Sequence, residues 1–260
     1  MKSTLFNAVS TMALFAVFSA AASADPIDDA APQAISMTGT TSFDGWNNLT
    51  STANPGYPGF PGSGAWPSPI GSNVAGSGDA IVSKVSGNIF PSSTGLYFGS
   101  FTAVPNTNAG TLGVTDSTIV SGLKTVVFQV ETGESMGYDF YNGVLPTLSY
   151  NGGSQALAAT FSDKLVQAPN GTFDSPVGPQ PLYVNLWALQ WDLSSIVDPI
   201  TSLNISFNGV THSQVFGLQL DQSSTAYSSA VFAAPVPEPA SMAALSLGAL
   251  ALIRRKRRNK

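Results

Sequence analysis

The chain of 260 residues contains no cysteine, so no disulfide framework, thiolate nucleophile or cysteine–zinc site can be built. Charge is scarce as well. Only 10% of residues are Asp, Glu, Lys or Arg, which leaves Ser, Thr, Asn, Gln and Gly to solvate the surface. Histidine occurs once, as His212; any Ser-His-Asp triad would have to use it, and no G-x-S-x-G elbow accompanies it. Arginine is absent before Arg254, and the basic residues ahead of it are Lys2, Lys84, Lys124 and Lys164. Over residues 25–237, 14 acids stand against three lysines. So acidic a body argues against nucleic acid and against anionic lipid as partners.

What positive charge there is stands at the end. Six of the last seven residues are basic: Arg254, Arg255, Lys256, Arg257, Arg258 and Lys260. Before them, residues 240–253 form an uncharged run of 14. As a helix this would span about 21 Å, short of the roughly 30 Å hydrocarbon core, with long basic stems able to snorkel. Pro235, Pro237 and Pro239 confine any helix to positions from about Ala240 onward. The opposite terminus begins Met1-Lys2, continues through an apolar run and reaches Ala22-Ser23-Ala24 before the first acid, Asp25. Basic start, apolar middle and A-x-A exit predict a signal peptide over residues 1–24. The positive-inside rule then leaves the body outside, with residues 254–258 as a topological stop.

The ordered trio of Pro237-Glu238-Pro239, an apolar run and an Arg-rich end resembles the PEP-CTERM sorting signal of Gram-negative bacteria. The resemblance covers about the last 25 residues. It implies an exosortase-type membrane peptidase as partner, which would recognise Pro237, Glu238 and Pro239 and remove the tail. It also implies a surface or matrix protein associated with exopolysaccharide.

Between the two signals, residues 25–234 suit one domain. Residues 125–131 place Val126, Phe128 and Val130 on one side of a strand, and Leu203, Ile205 and Phe207 alternate with Asn204, Ser206 and Asn208. Further strands are expected over 96–101 and 183–193, with turns at Asn208-Gly209 and over 150–154. Neither a sustained helical period nor a fixed-period repeat is present, so the expected fold is all-β, an antiparallel sandwich of jelly-roll type. Val126, Phe128, Val130, Leu203, Ile205, Phe207, Phe216, Leu218 and Leu220 are expected in the core, and Asn204, Ser206 and Gln219 outside it. Residues 54–73, with five prolines and five glycines, read as a long irregular loop.

No catalytic residue is assigned, and the chain is not expected to be an enzyme. A glycosidase would need two carboxylates about 5–9.5 Å apart; Glu131, Glu134 and Asp139 are close in sequence, while Asp79, Asp192 and Asp221 could approach only by folding. No cofactor is expected, except that calcium has Asp79 and Asp221 as candidate ligands. Trp46, Tyr57, Phe60 and Trp66 surround the irregular loop. Exposed, they would stack on polysaccharide with Asn47, Asn48 and Asn73 alongside; buried, they would anchor the loop. The reading is therefore an exported surface protein with a structural or adhesive role, with a carbohydrate-binding module as the alternative and a glycan-active enzyme behind both.

Overall fold

The computed structural model describes residues 26–102, 104–175 and 178–232. The expected signal peptide, Pro-Glu-Pro motif, membrane helix and basic tail lie outside these residues. The described chain is almost entirely antiparallel sheet. Its strands are β1 (Thr41–Trp46), β2 (Ile70–Gly71), β3 (Ile81–Gly87), β4 (Ile89–Pro91), β5 (Leu96–Phe98), β6 (Asn108–Asp116), β7 (Thr125–Gly133), β8 (Thr147–Tyr150), β9 (Phe161–Ser175), β10 (Gly178–Asp192), β11 (Leu203–Val210) and β12 (Gln214–Ser223). Helix is confined to α1 (Pro26–Asp29) and a 3-10 turn at Tyr141–Gly143. Among the described residues, no helix is long and apolar enough to cross a membrane.

One sheet runs β4-β5-β12-β7-β10-β9, with β1 also paired to β12; the other runs β2-β3-β6-β11-β8. Their facing sides share a core. Val126, Phe128, Val130, Leu218 and Leu220 from the first sheet meet Leu112, Val114, Leu203, Ile205 and Phe207 from the second. Phe128 and Phe207 touch across it at a ring separation of 6.3 Å. All of these but Leu112 and Val114 are residues whose period-two spacing set them on one side of the pleat.

The first sheet also has a covered outer face, and here two expectations fail. Gln219 was expected outside but is buried, because residues 27–38 lie over it. Gln129 Nε2 and Gln219 Nε2 both donate to the Gln33 carbonyl, while Gln33 N–H donates back to Gln129 Oε1. The departing chain crosses the same face: Gln190 Nε2 donates to the Ser229 carbonyl, and Val231 N–H donates to Gln190 Oε1. Ala30 of the first segment packs with Leu165, Val184, Leu186, Ala188 and Phe216 of the sheet in a second apolar cluster. Phe216 belongs here and not to the main core, since a bulge between Val215 and Gly217 shifts the register. A one-residue shift carries a side chain to the other face. Asn204 and Ser206 are half-buried, with Asn204 Nδ2 donating to Thr115 Oγ1.

The hairpin turn also differs. Asn208 and Gly209 remain within β11, opposite Thr111 and Gly110, and the chain reverses at Thr211–Ser213, where Ser213 N–H donates to Val210 O. His212 there takes a left-handed φ of 69°. Glycine at 209 serves a close approach: a Cβ would stand 2.3 Å from the Phe98 ring. By contrast, Asn151 and Gly152 do make the expected turn after β8, at φ of 52° and 66°.

Candidate functional site

Strand β10 presents Asn185 and Trp187 on one side, two residues apart, and β7 presents Thr132 beside them. The loop after β7 lays Asp139 over this row. Asp139 Oδ1 accepts from Thr132 Oγ1 and Asn185 Nδ2, both at 2.7 Å. Its Oδ2 accepts from Trp187 Nε1 at 2.9 Å and lies 3.1 Å from Lys164 Nζ on β9. Lys164 also stands 5.0 Å from the centre of the Trp187 ring. Four donors thus converge on one buried carboxylate. Glu134 is the second acid of this cluster and accepts from the same Asn185 amide nitrogen at 3.2 Å. Burial raises its proton affinity and the Asp139 charge adds to that, while Asn185 and Lys164 pull it back. Asn185 Oδ1 is buried without a partner. Two of the three neighbouring carboxylates therefore do meet. Asp139, however, is saturated by donors and has no open lone pair for nucleophilic attack.

A cavity of about 420 Å³ opens elsewhere, between residues 35–37, β1, Gly76 and Asp221. Asp221 is buried, and loss of solvent pushes its carboxyl up to about 7, with the Asp44 charge adding and the Gln219 hydrogen bond opposing. Gln219 Nε2 donates to its Oδ2 at 2.7 Å. Asp79, the other candidate calcium ligand, is exposed and accepts from Thr118 Oγ1. The buried Asp44 carboxyl, whose charge acts on Asp221, is itself raised, mainly by desolvation, with the Asp116 and Asp79 charges adding and hydrogen bonds from Ser72 and Ala80 opposing. Among the described residues, no group of three or more His, Cys, Asp or Glu side chains is placed to hold a metal ion.

The four aromatics around the loop divide. Trp46 is 1% exposed and its indole N–H donates to Ile70 O, so its ring is in the core. Trp66 donates to Ile89 O and meets Tyr57 edge-on at 5.3 Å, and Tyr57 O–H donates to Ser68 O. These three hold the loop, assisted by Lys84 Nζ donating to the Gly62 and Gly64 carbonyls. Phe60 is 54% exposed and meets the still more exposed Phe101 at 5.0 Å. At His212, the Thr102 carbonyl can only accept, so Nε2 carries the proton and Nδ1 accepts from Tyr97 O–H. Both ring nitrogens are engaged, and no triad forms at this residue.

Sequence reasoning did not find Lys164, Asn185 and Trp187. The i, i+2 spacing of the last two was readable, but nothing local joins them to Asp139, 46 residues away from Asn185.

The described residues thus form a nearly all-antiparallel β-protein. The family model for the PEP-CTERM protein-sorting motif matches residues 235–258. That motif implies export to the cell envelope or surface and processing by exosortase, a membrane peptidase. Comparison with curated proteins and with solved structures gives no match.

Proposed function

We propose that the chain is a non-catalytic cell-surface or matrix protein. Its β-sandwich, of jelly-roll type over residues 25–234, has a structural or adhesive role. It is held at the membrane through residues 240–253 until an exosortase-type peptidase acts near Pro237-Glu238-Pro239. The observation carrying this reading is the sorting motif at 235–258 placed directly behind the β-domain. The full engagement of Asp139 and His212 supports the non-catalytic assignment. The intact mass of the mature protein from a native host tests it. A chain running from Asp25 to near Pro237 is expected, and one on the cell still ending at Lys260 would reduce the tail to a plain anchor.

A second reading, polysaccharide binding, is favoured by the adjacent exposed rings of Phe60 and Phe101. Replacing both by Ala would then lower retention on extracellular polysaccharide without lowering the melting temperature. Turnover on a glycan panel, abolished by changing Glu134 or Asp139, would instead make the protein an enzyme.

A further inference from the structure

The cavity beside β1 combines three properties that point to one class of ligand. First, Phe43 and Asp221 are direct cross-strand partners, so an aromatic ring and a carboxylate project together from one face. The ring lies over Gly45, in space that a side chain there would fill: Phe43 Cζ is 2.8 Å from where a Cβ on Gly45 would stand. Second, the carboxylate lacks a counter-ion. No ion pair reaches Asp221 among the described residues, and the side chains lining the cavity include no Lys, Arg or His. Such a carboxyl holds its proton more tightly than a solvated one, and a cation entering the cavity would stabilise its ionised form. Third, the hydroxyl-bearing Ser36 and Thr41 and the polarisable Met37 are among the lining residues. At about 420 Å³ the space is far larger than a bare ion needs and falls within the range of small-molecule sites.

We propose that this cavity binds a small hydroxylated ammonium ion, such as a protonated amino sugar. The ammonium group pairs with Asp221 and lies against the Phe43 ring, and the ligand hydroxyls meet Ser36 and Thr41. Carboxylate and aromatic face both recognise the positive charge, the first by a charge-assisted hydrogen bond and the second through the ring quadrupole. A neutral sugar gains neither, and an anion meets only repulsion. This site does not depend on how the tail is processed.

The test is calorimetric titration of the exported protein, purified as its host delivers it, at pH 7.5 with ethanolamine, glucosamine, glucose and calcium chloride. Both amines should bind saturably, on the order of 1 mM, with glucose showing no binding at the same concentrations. Asp221→Asn should weaken the amines at least about tenfold. Thr41→Trp, at the exposed rim, should abolish binding with an unchanged melting temperature, and it decides the matter if the Asp221 variant does not fold. Absence of saturable amine binding would overturn the proposal. So would glucose binding as tightly as glucosamine, calcium binding that the amines do not displace, or full affinity in folded Asp221→Asn.

Discussion

Individual carboxylates in this protein have opposite energetic roles. Asp139 is stabilised by four donors, and its removal would strand Trp187 Nε1, leave Lys164 Nζ without its carboxylate and leave Asn185 Nδ2 with only the longer bond to Glu134. Asp139→Ala is therefore expected to cost about 3 kcal/mol or more in chemical denaturation. Lys164→Ala should cost about 1 kcal/mol or less, because that amine is partly solvated. Asp221 behaves differently. Its folded-state carboxyl titrates near 7, above the unfolded value of about 3.9, so the native state holds the proton more tightly. Its contribution to stability is thus most favourable below about pH 4, declines as the pH rises to about 7, and is flat beyond. Asp221→Asn removes this loss while still accepting from Gln219. Its melting temperature relative to the parent protein should rise between pH 4 and 8, by on the order of 10 °C overall. A constant difference across that range would show that Asp221 ionises normally in the fold.

At the scale of elements, β11 and the terminal segments decide what the sheets can do. Gly209 lies within β11 against the Phe98 ring, so Gly209→Ala must displace a fully buried aromatic. Its cost should reach about 2–3 kcal/mol, against the few tenths expected if the residue merely occupied an open turn. Thermal melts of the variant separate the two. Residues 27–38 close the outer face of the first sheet, and without them Leu186, Ala188 and Phe216 would meet water. Burying a side chain of Leu or Phe size stabilises by roughly 1.5–3 kcal/mol. Deleting residues 26–38 should therefore lower the melting temperature sharply and raise binding of an apolar dye. Unchanged stability would mean that this segment is only a tether.

At the scale of the whole molecule, the concentration of positive charge at 254–258 supplies the topological logic of the proposed sorting. Charges of this density cross a membrane poorly, so under that proposal the apolar run would halt and the Pro-Glu-Pro stretch would remain on the outer side. Changing Arg254, Arg255, Lys256, Arg257 and Arg258 to Ser should release unprocessed protein into the medium. Glu238→Ala should leave the topology intact and reduce cleavage alone. Immunoblotting of cell and medium fractions distinguishes these outcomes.

Much of this protein was determined by the sequence itself, because the relevant signals are local. The tail is a linear address, readable as Pro237-Glu238-Pro239 and its basic end, and the motif match at 235–258 agrees with that reading. Period-two spacing alone placed Val126, Phe128, Val130, Leu203, Ile205 and Phe207 on the buried side, since a pleat sends alternate side chains to opposite faces. Tertiary structure decided the rest. Phe216 changed faces through a bulge, and Gln219 was covered by a segment 186 residues away. Trp46 turned inward to reach a carbonyl on β2, and the Asp139 cluster drew on three strands and a loop. Local periodicity specifies which side of a strand a residue occupies. Whether that side meets water, a remote segment or a second sheet depends on packing between parts of the chain that share no local pattern.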